Sequence, residues 1–425
     1  CILRIKIFIL LWSCLASCWV VGLEAKNDLQ IVAQWAELDF VFPSEEDRRN
    51  ALQNEYYVPG KSVPIDVDVH YIPGKILFVI FVTLPRFDTG RPITLGTVDN
   101  QGLINPYPDY SWHDKQGNNC AGMTSVFRVA IDEYQRLWVM DTGKIGRQMY
   151  CPPQVLAFDL TTDHLIYRHI LNMSAYTDQS LYITPVVDVR ENGNTFVYVA
   201  DVLDFGILVV DVLRDRSWRV THRLFFPYPP RGDFTIDGER FNLMDGILGL
   251  ALSPYIQGYE RNLYFHALAS TTENVVSTAV LRNESYINNN KLDIDSVFPK
   301  ERSSQSAAEA MDRNGIMFFG MMDPPSIWCW NTNTEYSVQN IHAVAVNQET
   351  LQFASGLKVI TNAHREQELW ILTSSFQRII TGTISSQRIN YRIHAEKIST
   401  LFFVQCVFVN VTCDCKNLIF VFLLI

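Results

Sequence analysis

CAGMTSVFRVAIDEYQRLWVMDTG, residues 120–143, is the stretch whose reading decides the fold. Residues 124–131 predict a strand, Asp132-Glu133-Tyr134-Gln135 a turn, and residues 137–141 a second strand closed by Thr142-Gly143. Val126, Arg128 and Ala130 alternate with Phe127, Val129 and Ile131, the period of a pleated ribbon whose side chains point to opposite faces in turn.

The second strand of this hairpin recurs. Residues 76–84 (ILFVIFVTL), 196–201 (FVYVAD), 263–267 (LYFHA), 316–320 (IMFFG) and 369–373 (LWILT) are apolar runs of the same type. With Leu77, Leu137, Val197, Leu263, Met317 and Leu369 as markers, the separations are 60, 60, 66, 54 and 52 residues, so the chain holds six units. A strand ahead of the marker is read at 186–190, 247–252, 307–311 and 341–346, and one behind it at 206–211, 275–281 and 326–331. Strand-turn-strand units of this length, with no credible helix between them, predict an all-β fold, a six-bladed β-propeller. Two stacked sandwiches would match the strand density but not the period. Ahead of the first unit, residues 29–40 read as a strand and 44–53 as a short helix capped by Ser44, with Glu at capping-box spacing.

A chain of 425 residues, 48% hydrophobic and 19% charged, can bury one large core or two ordinary ones. The net charge of −10 excludes a nucleic-acid partner, which needs clustered Lys and Arg, and suits cationic ligands. Arg4 and Lys6, the apolar run 7–21 and Gly22-Leu23-Glu24-Ala25 read as a signal peptide over 1–25, too short for a membrane span of about 20 apolar residues. The expectation is a secreted, extracellular protein without a membrane partner, with one propeller domain over 26–396. Cys at position 1, where Met is usual, suggests a fragment or a gene model missing its start. Residues 397–425 form an atypical apolar tail broken by Asp414-Cys415-Lys416-Asn417, read as translated non-coding sequence rather than an anchor.

Of nine cysteines, Cys1, Cys14 and Cys18 fall in the leader. Cys120 and Cys151 flank the opening hairpin, and in an oxidising compartment they are expected to form a disulfide. No second CxxC or His pair completes a zinc set, so no metal is expected. Asn172, Asn283 and Asn410 start glycosylation sequons. The sequence lacks GxSxG, HExxH and a phosphate-cradling glycine loop, so no cofactor is expected. Asp66-Val67-Asp68-Val69-His70 puts three metal-friendly residues on one strand face, read as a surface of the first blade. Asp141 and Asp201 end second strands in matching positions, which fits blade-to-blade hydrogen bonding better than catalysis. Trp328-Cys329-Trp330 reads as core, and His266 among apolar neighbours as a satisfied core histidine.

The stretches 120–143, VYVADVLDFGILVVDV, FTIDGERFNLMDGILGLALSP, NLYFHALAS and GIMFFGMMDPPSIWCWN resemble the insect yellow and major royal jelly protein family, over residues 29 to 393. The resemblance implies a secreted six-bladed propeller, with roles among members in cuticle pigmentation and melanisation, dopachrome conversion, biogenic-amine binding and nutrition. It also implies that Cys329 pairs with a late cysteine, for which Cys406 could stand in.

On a propeller, residues just ahead of the innermost strands converge on one channel mouth. An amine would need a carboxylate or carbonyl for its cation and an aromatic face for its ring. Thr124, Tyr182, Thr184, Asp245, Gln305, Phe319 and Asn340 are the candidates there, for a small aromatic amine or catechol-derived ligand. Asp245 in Met-Asp-Gly has a competing reading as a turn residue. The alternative function is a tautomerase-type conversion of dopachrome, which needs a base in reach of the ring, with Asp245 or His266 the best that the sequence offers.

Overall fold

The computed structural model describes residues 29–117, 119–287 and 300–401. Six antiparallel sheets form the blades. From the axis outward, blade 1 is Val67–Tyr71, Phe78–Thr83, Leu95–Val98 and Ile104–Pro106, and blade 2 is Val126–Ile131, Arg136–Asp141, Gln154–Asp159 and His164–Ile170. Blade 3 is Tyr182–Val189, Thr195–Asp201, Gly206–Asp211 and Arg216–Thr221; among the described residues blade 4 shows Ile247–Leu252, Asn262–Ala267 and Asn274–Ser277. Blade 5 is Glu309–Met311, Ile316–Met322, Pro325–Asn331 and Ile341–Val346. Blade 6 runs Ala354–Thr361, Gln367–Ser374 and Tyr391–Lys397, and takes its outermost strand, Gln30–Trp35, from the start of the described chain. The six innermost strands touch in a closed ring.

Each blade buries both faces against its neighbours, which is why the second strands read as unbroken apolar runs. One apolar cluster fills each seam. Leu137, Val139 and Phe158 pack with Phe81 and Leu95 between blades 1 and 2, and Trp370, Leu372 and Ile393 pack with Val67 and Ile80 between blades 6 and 1. Five of the six markers lie in second strands, and Leu77 stands one residue ahead of its own.

The residues predicted as the sixth unit's leading strand, Ile341–Val346, are instead the outermost strand of blade 5, and the true innermost strand of blade 6 is Ala354–Thr361. That strand opens Ala-Ser-Gly, which reads as a turn. In the opening stretch the alternation is interrupted by a register shift between Val126 and Val129. The early helix forms as Glu45–Gln53 with Ser44 Oγ accepting from the Asp47 amide, so the residue at capping-box spacing is Asp47 rather than Glu.

Cys120 and Cys151 are disulfide-bonded with Cα atoms 5.4 Å apart. Gly143, at φ +68°, lets the chain pass there, since a Cβ would collide with the Cys151 carbonyl oxygen. Cys329 is disulfide-bonded as well, while Cys406, the expected partner, lies outside the described residues. The leader 1–25, Asn410 and the tail beyond 401 lie outside them too. No helix among the described residues is long and apolar enough to cross a membrane.

Candidate functional site

The innermost strands enclose a cavity of about 220 Å³ to which all six contribute. Its two ends differ. At the end where the innermost strands begin, Phe127, Ile183, Leu248, Ala307 and Phe353 converge, and a hairpin of Asp233–Ile236 and Glu239–Asn242 lays Phe234, Ile236 and Phe241 over them. The hairpin reaches across to blade 6, where Arg378 binds Asp237 at 2.7 Å and Thr383 donates to Glu239 at 2.8 Å. Gln305 Nε2 holds the hairpin's base through the carbonyls of Arg231 and Asp233. This mouth is therefore plugged by apolar side chains. Burial then loosens along the innermost strands toward their far ends, at Ala130, Ile131, Leu252, Ala310, Met311 and Val359, so the cavity faces solvent at the opposite end.

Arg128 lies just beneath the plug. Its guanidinium, from blade 2, donates to Thr184 Oγ1 of blade 3 at 2.8 Å, and to the carbonyls of Ala307 in blade 5 and Ser355 in blade 6 at 3.4 and 2.6 Å. Thr184 in turn donates to the Leu248 carbonyl of blade 4. Burial pulls the Arg128 pKa down, and Asp66 and Glu309 oppose that shift.

On the blade 1 wall, Asp66 Oδ2 accepts from the Val129 amide at 3.1 Å and lies 3.0 Å from Lys358 Nζ of blade 6. Asp68, two residues nearer the open end, accepts from the Ile131 amide at 3.0 Å and the Val69 amide at 2.8 Å. Burial pushes the Asp68 carboxyl up to about 7; Lys358 opposes the shift and Asp66 adds to it. The channel thus holds an acid that titrates near neutrality next to a fixed ion pair. Asp66, Asp68 and His70, expected on a blade surface, are buried, and both aspartates line the cavity. Their strand is the innermost of blade 1, so one of its faces is channel wall.

Of the seven residues anticipated at the mouth, Thr184 lines the cavity. Thr124 is buried, its amide donating to Asp141 and its carbonyl accepting from Arg86. Tyr182 is packed in the seam of blades 2 and 3, its hydroxyl donating to the Ala175 carbonyl. Phe319 is core between blades 4 and 5, beneath the Arg302 guanidinium. Gln305 is committed to the hairpin, and Asn340 lies in the loop before blade 5's outermost strand, away from the axis, donating to the Glu335 carbonyl. Asp245 sits at the plugged end, half-buried, with burial raising its pKa to about 6. Arg128 and Lys358 were missed, although a charged residue inside an apolar strand of a blade packed on both faces is a readable signal.

Asp141 and Asp201 bond within their own blades rather than between blades. Asp141 accepts from the amides of Thr124 and Ser125 and from Gln154, and Asp201 from the Leu181 amide and Arg219. His266 is a partnered core histidine: Nδ1 lies 3.0 and 3.1 Å from Glu273 and Glu309, and Nε2 lies 3.1 Å from the Ser306 carbonyl. Those three side chains bring ligand-type atoms within 4.8 Å of one another. Arg302, 2.5 Å from Glu273, supplies a counter-charge, so the group forms an ion network joining blades 4 and 5.

A family model described as "Major royal jelly protein" matches residues 124–406. Major royal jelly protein 9 of Apis mellifera is 36% identical over 384 residues, covering 86% of this chain and 87% of its own. A Drosophila melanogaster protein named dopaminechrome tautomerase is 32% identical over 390 residues, covering 88% and 82%. Protein yellow of the same species is 32% identical over 408 residues, covering 92% and 72%. A six-bladed ring and a match of this extent agree, and the chain belongs to the major royal jelly protein family.

Proposed function

We propose that this is a secreted protein of cuticle pigmentation that takes a catecholamine- or indoleamine-like molecule in its central channel, from the end opposite the hairpin plug. The observation that carries the reading is the buried Asp68 on the wall of a small axial cavity, beside the Asp66–Lys358 pair. Asp66 is already paired with Lys358, so it is Asp68, once ionised, that offers a carboxylate to an ammonium group. The names of the relatives, dopaminechrome tautomerase and protein yellow, support a catechol-related ligand and a part in pigmentation. Secretion is supported by the leader-like start and by the disulfide, which persists in oxidising compartments. Asn172 is exposed and suits glycosylation, and Asn283 is half-buried.

A second reading, tautomerisation of a dopachrome-type ring, is favoured by Asp68, since a buried carboxyl titrating near 7 suits a general base that takes a proton from carbon. Calorimetric titration with dopamine and serotonin tests the first reading; no heat at millimolar ligand removes it. Following dopachrome decay tests the second. Turnover should rise as pH passes through about 7, where Asp68 ionises, and Asp68→Asn should lower it about 100-fold or more. A rate equal to that of heat-denatured protein sinks the enzyme reading and leaves binding standing.

A further inference from the structure

Away from the channel, a chain of hydrogen bonds crosses the outer seam between blades 2 and 3. His169 stands on the outermost strand of blade 2, His164–Ile170, and Ser217 on the outermost strand of blade 3, Arg216–Thr221. His169 Nδ1 lies 2.8 Å from Asp215 Oδ1, and its Nε2 lies 2.9 Å from Ser217 Oγ. The carboxylate fixes the tautomer: Nδ1 carries the hydrogen and donates it, which leaves Nε2 to accept from the Ser217 hydroxyl. The bond from His169 holds the Asp215 carboxyl below its ordinary pKa, so it is ionised at neutral pH. Asp215 also accepts from the Tyr167 hydroxyl at 3.0 Å, and the Tyr167 and His169 rings are stacked. Imidazole and carboxylate are thus each held from two sides. Hydroxyl to imidazole to carboxylate is the order of contacts that turns a serine into a nucleophile, whatever the fold. Ser217 is half-buried, so the group reaches the surface. The pattern is invisible in the sequence, where His169 and Ser217 stand 48 residues apart.

We propose that Ser217, His169 and Asp215 form a site, separate from the channel, that hydrolyses small carboxylic esters. Ser217 Oγ attacks the ester carbonyl carbon while His169 Nε2 takes its proton; the ester C–O bond breaks and that proton passes to the leaving alcohol. Water then attacks the acyl-serine and gives a proton to His169, which returns it to the departing Ser217 oxygen as the carboxylic acid is released. Asp215 positions the ring. Its side chain is 68% exposed, so solvent weakens its charge on the imidazole and turnover is slow.

The test uses the full chain with p-nitrophenyl acetate as substrate and phenylmethylsulfonyl fluoride as a label, located by mass analysis of peptides. The label should fall on Ser217, and Ser217→Ala should hydrolyse the ester no faster than heat-denatured protein. His169→Ala should slow labelling about 100-fold or more. Asp215→Asn should slow it too without lowering the melting temperature, since Asn also adopts the φ of +50° found there; a structural tie alone would move melting and not labelling. If His169→Ala does not fold, Ser217→Ala and Asp215→Asn decide. An unlabelled Ser217, or a Ser217→Ala variant as active as the parent, overturns the site and leaves the channel reading untouched.

Discussion

Asp68 shows at the scale of one residue how burial sets chemistry. In an unfolded chain its carboxyl would titrate at about 3.9, whereas in the fold it titrates at about 7. The folded state therefore holds a proton that the unfolded state has lost between those values, and stability falls as pH rises across that window. Asp68→Asn carries no charge to desolvate. The variant should melt at higher temperature than the parent at pH 8, with the gap shrinking toward pH 5; the full effect is on the order of a few kcal/mol. Melting temperatures at pH 5, 6, 7 and 8 measure it, and a gap independent of pH would contradict the assignment. The strand carrying Asp66 and Asp68 was legible in the sequence as a two-residue alternation. Which of its faces meets water was not, because an innermost strand has a neighbouring blade on one side and the channel on the other, and both are buried.

At the scale of an element, the hairpin of Asp233–Ile236 and Glu239–Asn242 decides which end of the channel is open. Its turn, Asp237-Gly238, is a local hairpin signal of the ordinary kind. Its destination depends on Phe234 and Phe241, which stack at 5.1 Å and pack among side chains from the other blades. Phe234→Ala should cost the plug about 3 kcal/mol, roughly a hundredfold in its opening equilibrium. The Arg378–Asp237 bridge, with Asp237 44% exposed, adds little. Limited proteolysis with mass analysis of the cut sites checks this: cleavage within 233–242 should accelerate at least tenfold while the blades stay intact. Unchanged cleavage would mean that the hairpin is held by something other than its apolar face.

At the scale of the whole molecule, the ring is closed by pairing the first described strand with the last, Gln30 opposite Ala395 and Trp35 opposite Tyr391. Deleting residues 30–35 would leave Tyr391–Lys397 as a free edge and uncover part of the cluster of Trp35, Trp370 and Tyr391. Melting should drop by about 10 °C or more, as expected for several kcal/mol in a large domain, and an unchanged melting temperature would show that closure contributes nothing. The sequence by itself determined the six units, their second strands and the Cys120–Cys151 bridge. A blade buried on both faces must be apolar along its length, and that pattern is local. Only the tertiary structure decided that the anticipated mouth is plugged, that Thr184 alone of the seven candidates lines the cavity, and that Arg128, Lys358, Asp66 and Asp68 meet at the axis. The physical reason is distance along the chain: Asp66 and Lys358, 3.0 Å apart in space, stand in the first and last blades. No local periodicity says which residues of six separated strands will share one channel.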